Sequence, residues 1–93
     1  MARYTLTTTP TQIAAGGELQ ARSRSVAIVV PAGTGTVLLE RGPIGSAPSM
    51  TNAARFDFSK IPALTYYCDP GIALWAATSS GTVDVDVLPG GEI

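Results

Sequence analysis

The stretch GIALWAATSSGTVDVDVL, Gly71 to Leu88, sets two kinds of strand back to back. From Ile72 to Thr78 both alternating sets are apolar, Ile72, Leu74 and Ala76 on one side and Ala73, Trp75 and Ala77 on the other. A strand of that kind has water excluded from both faces, so it needs a sheet packed on one side and a further layer or a subunit on the other. A Ser-Ser-Gly turn follows. Then Val83, Val85 and Val87 alternate with Asp84 and Asp86, the period of two that marks one buried and one wet face.

The same design occurs upstream in SVAIVVPAGTGTVLLE, Ser25 to Glu40. Ser25 to Val30 is apolar at nearly every position, PAGTG interrupts it, and TVLLE resumes. Gly35-Thr36-Val37 and Gly81-Thr82-Val83 hold matching places, and each unit reads as a hairpin. At the N-terminus Tyr4, Leu6 and Thr8 alternate with Thr5, Thr7 and Thr9 until Pro10, which predicts a short strand. A brief apolar piece around Ile13 and a Gly16-Gly17 break follow. RGPIGSAPSMTNAAR has little periodicity and predicts a long surface loop over about 41–54, the natural place for a specialised function. Phe56 and Phe58 then share a face opposite Asp57, and LTYYCDPG gives a short strand ending in an Asp69-Pro70-Gly71 turn. The expectation is an all-β chain: a single β-sandwich or jelly-roll-like barrel of about seven or eight mostly antiparallel strands. It is one domain over 1–93, with an N-terminal strand or arm over about 1–17.

Composition narrows the function. Ninety-three residues lie near the lower limit for a self-sufficient core. The chain is 45% hydrophobic and only 14% charged, against a usual charged share of roughly a quarter, a surface suited to an assembly. A net charge of −1 gives no basic footprint for nucleic acid. The charge is nevertheless divided: residues 1–55 hold five Arg against Glu18 and Glu40, while residues 56–93 hold Lys60 against four Asp and Glu92. These halves should attract, within a chain or between chains. One cysteine and no histidine remove intramolecular disulfides, His-based zinc sites and nucleophile–histidine pairs, so no enzyme and no cofactor is expected. MARYTLTTTP lacks the apolar stretch of a secretory signal, and Val26 to Ala32 is far short of the roughly 20 residues of a membrane span. The expectation is a soluble protein kept in the cytoplasm until it assembles, with no membrane partner.

Several residues invite a chemical reading. Asp84 and Asp86, two apart in a strand, leave the same face roughly 6 to 7 Å apart along the chain. They lack the further carboxylates and Gly-centred loop of a calcium site, so a solvent face or a guarded edge is the simpler reading. AGTGT, Ala32 to Thr36, lacks the Gly-Lys-Ser/Thr ending of a phosphate loop, and a turn needing positive φ explains its glycines. Arg22 and Arg24 share a strand face and are candidates for gripping phosphates or a neighbouring subunit, with a plain solvated edge as the alternative. Trp75 is a candidate for core or subunit interface. With Tyr66 and Tyr67 it could instead form a sugar-stacking platform, although no cluster of exposed polar partners recommends one. Cys68 reads as a small buried hydrophobe.

Taken in order, TLTTTPTQIAAGG, SRSVAIVVPAGTGTVLLE and GIALWAATSSGTVDVDVL resemble small β-rich virion proteins of tailed bacteriophages. These pieces span about half the chain. The resemblance lies in strands and turns and carries over no catalytic residues. It implies a virion structural role: a decoration (cement) protein on the capsid exterior, a head-fibre component or a tail-associated module. The expected partners are further copies of the chain, as a homotrimer, and the major capsid protein or another virion protein. A carbohydrate- or receptor-binding module of a tail or fibre is the alternative.

Overall fold

The computed structural model describes residues 2–15, 25–67 and 72–89. Eight strands run in chain order: β1 (Ala2–Leu6), β2 (Thr11–Ala15), β3 (Ser25–Val29), β4 (Thr36–Pro43), β5 (Ala54–Asp57), β6 (Leu64–Tyr67), β7 (Ile72–Thr78) and β8 (Val83–Pro89). They form two four-stranded sheets, ordered β1-β8-β3-β6 and β2-β7-β4-β5, with every pairing antiparallel. The all-β sandwich expected from the periodicities is the fold observed.

The strand order has a simple generator. First pairs with last, second with seventh, third with sixth and fourth with fifth, as in one long hairpin whose tip lies between β4 and β5. Rolling that hairpin brings β3 against β8 and β4 against β7 and closes the two sheets over each other. This is the jelly-roll topology. Among the described strands only β4 and β5 are both consecutive and paired, so the other connections cross from sheet to sheet.

Two sequence readings are thereby corrected. Ser25–Glu40 and Gly71–Leu88 are not hairpins: β3 and β4 lie in opposite sheets, as do β7 and β8. Each turn is an arch over the end of the sandwich. The glycines do have positive φ, Gly33 at 77°, Gly35 at 140° and Gly81 at 66°, but they serve arches. Gly35 shows why. A Cβ there would stand 3.1 and 3.2 Å from the two methyls of Val83, so only glycine lets the two arches touch. The main chain of Gly35 also accepts a hydrogen bond from the Phe58 N–H at 2.8 Å, tying the arch to the end of β5.

Leu6, Val26, Ile28, Val37, Leu39, Leu74, Val85 and Val87 are fully or almost fully buried between the sheets. At about 1.5 to 3 kcal/mol for each such side chain, this core is the main stabilising element. Phe56 meets Tyr66 edge-on across the sheets, centroids 6.2 Å apart and planes at 76°, and closes the side where β5 faces β6. Arg41 seals the same side. Its guanidinium lies 4.6 Å from the Tyr66 ring centre and donates twice to the Tyr67 carbonyl, at 2.9 and 3.0 Å.

Candidate functional site

The two outer faces of the sandwich differ in kind. On the β1-β8-β3-β6 sheet the Val/Asp alternation of β8 points Asp84 and Asp86 outward, as its period requires. Register places Arg3 opposite Asp86 and Thr5 opposite Asp84. Arg3 grips Asp86 with two parallel bonds, Nε to Oδ1 at 2.7 Å and Nη2 to Oδ2 at 3.0 Å, and the Thr5 hydroxyl donates to Asp84 Oδ1 at 2.7 Å. Here the basic first half and acidic second half of the chain meet within one molecule. The Arg3 hydrogen bonds hold the Asp86 carboxyl below the usual carboxylate range; burial opposes them, and the Arg3 charge adds a smaller lowering effect. The Arg3 guanidinium is correspondingly raised, first by its hydrogen bond to Asp86 and then by that residue's charge. On β5, Asp57 is likewise lowered, because it accepts from both the hydroxyl and the N–H of Ser59. Asp84 and Asp86 form a polar ladder on an edge pair of strands, with a side-chain exposure of 57% for Arg3 but only 13% for Asp86.

Next to this ladder the two arches leave an open cleft of about 310 Å³. Its polar groups are Arg3, Asp84, Thr34 and Thr82, and its apolar floor includes Val30 and Val83. This cleft is a concavity beside charged side chains. Among the described residues no three His, Cys, Asp or Glu side chains gather closely enough to hold a metal ion.

The outer face of the β2-β7-β4-β5 sheet is dry where β7 crosses it. Ala73 and Ala77 are buried, and Trp75 is 7% exposed. Over Ala73 and Trp75 the cover is the chain's own loop at the tip of the rolled hairpin. Because β4 extends to Pro43 and β5 starts at Ala54, the irregular part is residues 44–53, shorter than the expected 41–54. Met50 packs into a small cluster with Ala73 and Trp75, and the Pro48 ring lies over Gly42. The Trp75 indole N–H donates to the Pro43 carbonyl at 3.0 Å, and the Gly45 N–H donates to Gln12 Oε1 at 2.8 Å. Gln12 points to this side because register places it directly opposite Trp75, while Ile13 beyond it enters the core.

The aromatic platform weighed as the alternative does not exist as a surface. Trp75 lies beneath the loop on one sheet, Tyr66 faces the core of the other, and Tyr67, 65% exposed, lies outside that second sheet. Trp75, a candidate interface residue, is thus covered within the chain and not open to a flat ligand. Arg22 and Arg24, the other two candidate interface residues, lie outside the described residues, as do Cys68 and the Asp69-Pro70-Gly71 turn. Sequence reasoning missed Arg3, Thr5, Gln12 and Arg41. Arg3 and Thr5 carried a signal, two polar residues two apart in the first strand that match Asp84 and Asp86 in the last. Gln12 carried none.

Comparison with known proteins finds no match: no family model fits the chain, no curated protein is significantly similar in sequence, and no solved structure is significantly similar in fold.

Proposed function

We propose that the protein is a virion structural protein, made in a host cytoplasm, that oligomerises and binds the outer capsid shell as a decoration (cement) protein. The observation that carries this reading is the rolled-hairpin strand order, an architecture recurrent in viral capsid domains. That is an argument from fold, so the resemblance of the turns and strands to phage virion proteins is its necessary companion. The candidate residues support a binding role: the two aspartates are occupied by Arg3 and Thr5 in an ordered surface ladder. A decoration protein stabilises a shell by binding the assembled lattice in preference to free subunits, so mass action favours the intact head.

The test is to add the purified chain to undecorated phage heads, measure co-sedimentation, and follow the temperature at which the heads disrupt. Saturable binding with a raised disruption temperature is expected. A chain that stays monomeric at micromolar concentration and leaves heads unchanged would count decisively against the reading.

A carbohydrate- or receptor-binding role in a tail or fibre is the second reading, and the cleft between the arches favours it, since lectins also use this topology. It requires recognition by Arg3, Asp84, Thr34 and Thr82 rather than by stacked aromatics. Glycan binding that disappears in Thr34→Val with Thr82→Val, in a folded protein that ignores phage heads, would establish it in place of the first.

A further inference from the structure

Among the described residues there are two apolar clusters. One fills the sandwich, while the other consists of Ala73 and Trp75 on the outer face with Met50 of the loop laid on them. We infer that the loop, residues 44–53, is a lid that opens as a local unit and uncovers Trp75 while the sandwich stays folded.

Four independent features lead there. First, the lid buries little of itself: Ile44 to Ala47, Ser49, Thr51 and Asn52 are exposed, and Pro48, Met50 and Ala53 are only half-buried. Second, among the described residues its side-chain tether to the sheet is the Gly45–Gln12 hydrogen bond, and its other hydrogen bonds are local: Ser46 N–H to Pro43 O at 3.4 Å, Ala53 N–H to Met50 O at 3.3 Å, and the Ser49–Thr51 pair. Third, Met50 has a φ of 63°, the left-handed region in which a non-glycine residue is uncommon, so closure holds the lid in a conformation its own chain does not favour. Fourth, both ends are firmly held, because the ladder of β4 with β7 runs to Pro43–Ile72 and that of β4 with β5 starts at Leu39–Ala54. A segment with anchored ends, few buried groups and its own small cluster is the kind that opens below the free energy of global unfolding.

Gly42 is the point of leverage. A Cβ there would meet Pro48 Cγ and Cδ and Trp75 Cδ1, each at 3.3 Å, with no positive φ to complicate the substitution. Gly42→Ala therefore wedges the lid and leaves the opposing sheet untouched. Gln12→Ala removes the tether without adding bulk.

Native-state hydrogen exchange by NMR tests the proposal. The Trp75 indole N–H is bonded to the Pro43 carbonyl of β4 and reports the lid indirectly, because opening lets water reach the indole and compete for that bond, while the β7 backbone amides report the sandwich. The indole should exchange roughly 100-fold faster than the β7 amides and with a weaker dependence on urea, since local opening exposes less surface. Gly42→Ala and Gln12→Ala should each speed indole exchange, by roughly tenfold, with β7 amides unchanged. Indole exchange at the β7 rate with the same urea dependence would overturn the proposal. So would variants that accelerate both reporters equally, because the lid would then be part of the one cooperative unit.

Discussion

The outer face of β8 and the outer face of β7 begin as two strand patterns in one stretch of sequence and end with opposite coverings. On β8 the aspartates keep the surface polar, and Arg3 and Thr5 of the neighbouring strand satisfy them. On β7 the outward side chains are apolar apart from the Trp75 indole N–H, which the Pro43 carbonyl accepts, so the face has to be roofed, and the loop between β4 and β5 does it with Pro48 and Met50. An apolar outer face on a small sandwich is therefore not in itself an exposed interface. It can be closed by the chain's own longest loop, which shifts the search for an assembly surface to other parts of the molecule.

The largest effect that bears on this contrast should come from Trp75→Ala. Emptying the site beneath the lid should cost about 3 to 5 kcal/mol, read as a lower urea midpoint. The contrast fails if the variant is as stable as the wild type, for Trp75 would then not be buried in solution. A glycine-to-alanine change at the other extremity is a control that strikes the sandwich alone. Gly35→Ala places a methyl against Val83 and demands a φ of 140°, so a loss of about 1 to 3 kcal/mol is expected with the lid reporter moving only in step with the sandwich.

These positions also mark what is legible in the sequence. Period two reveals which side chains share a face, and it is enough to put Asp84 with Asp86 and Phe56 with Phe58. Periodicity says nothing of which strand lies alongside. A Gly-containing turn of a few residues joins two strands equally well as a hairpin or as an arch, and the choice is made by pairings far apart in sequence, β3 with β6 and β8, β7 with β2 and β4. The residues that complete each site are hidden for the same reason: Arg3 reaches Asp86 across 83 positions and Gln12 reaches Gly45 across 33. Trp75 is readable as packed but its cover is not, because a loop rich in Pro, Gly and Ser has no period to show where it lands.

A smaller effect should appear in the coupling between lid and face. In a double-mutant cycle of Met50→Ala with Trp75→Ala, the two changes should be non-additive by on the order of 1 kcal/mol, as expected for side chains in contact. Met50→Ala paired with Val85→Ala, in the main core, should be additive to within about 0.5 kcal/mol. Equal coupling in both cycles would merge the two clusters into one.

The smallest effect belongs to the wet face and is a matter of pH. Asp86 has its pKa depressed in the folded protein by Arg3, so its contribution to stability is present above the ordinary carboxylate value of about 3.9 and is lost as pH falls through the lower folded value. Asp57, lowered by Ser59, adds in the same direction and the same window. Thermal stability should accordingly be insensitive to these groups from neutrality down to about pH 5 and should decline below about pH 4. Asp86→Asn keeps the size of the side chain but removes the charge Arg3 binds, so the variant should be slightly less stable than the wild type near pH 7, and the two melting curves should converge as the wild-type carboxyl becomes protonated. Melting temperatures of both proteins between about pH 2 and pH 7 measure this directly. A difference that persists unchanged into acid would mean the substitution acts through packing beside Val29, its partner on β3, and not through the Arg3 ion pair, and the face would then be less purely electrostatic than its ladder implies.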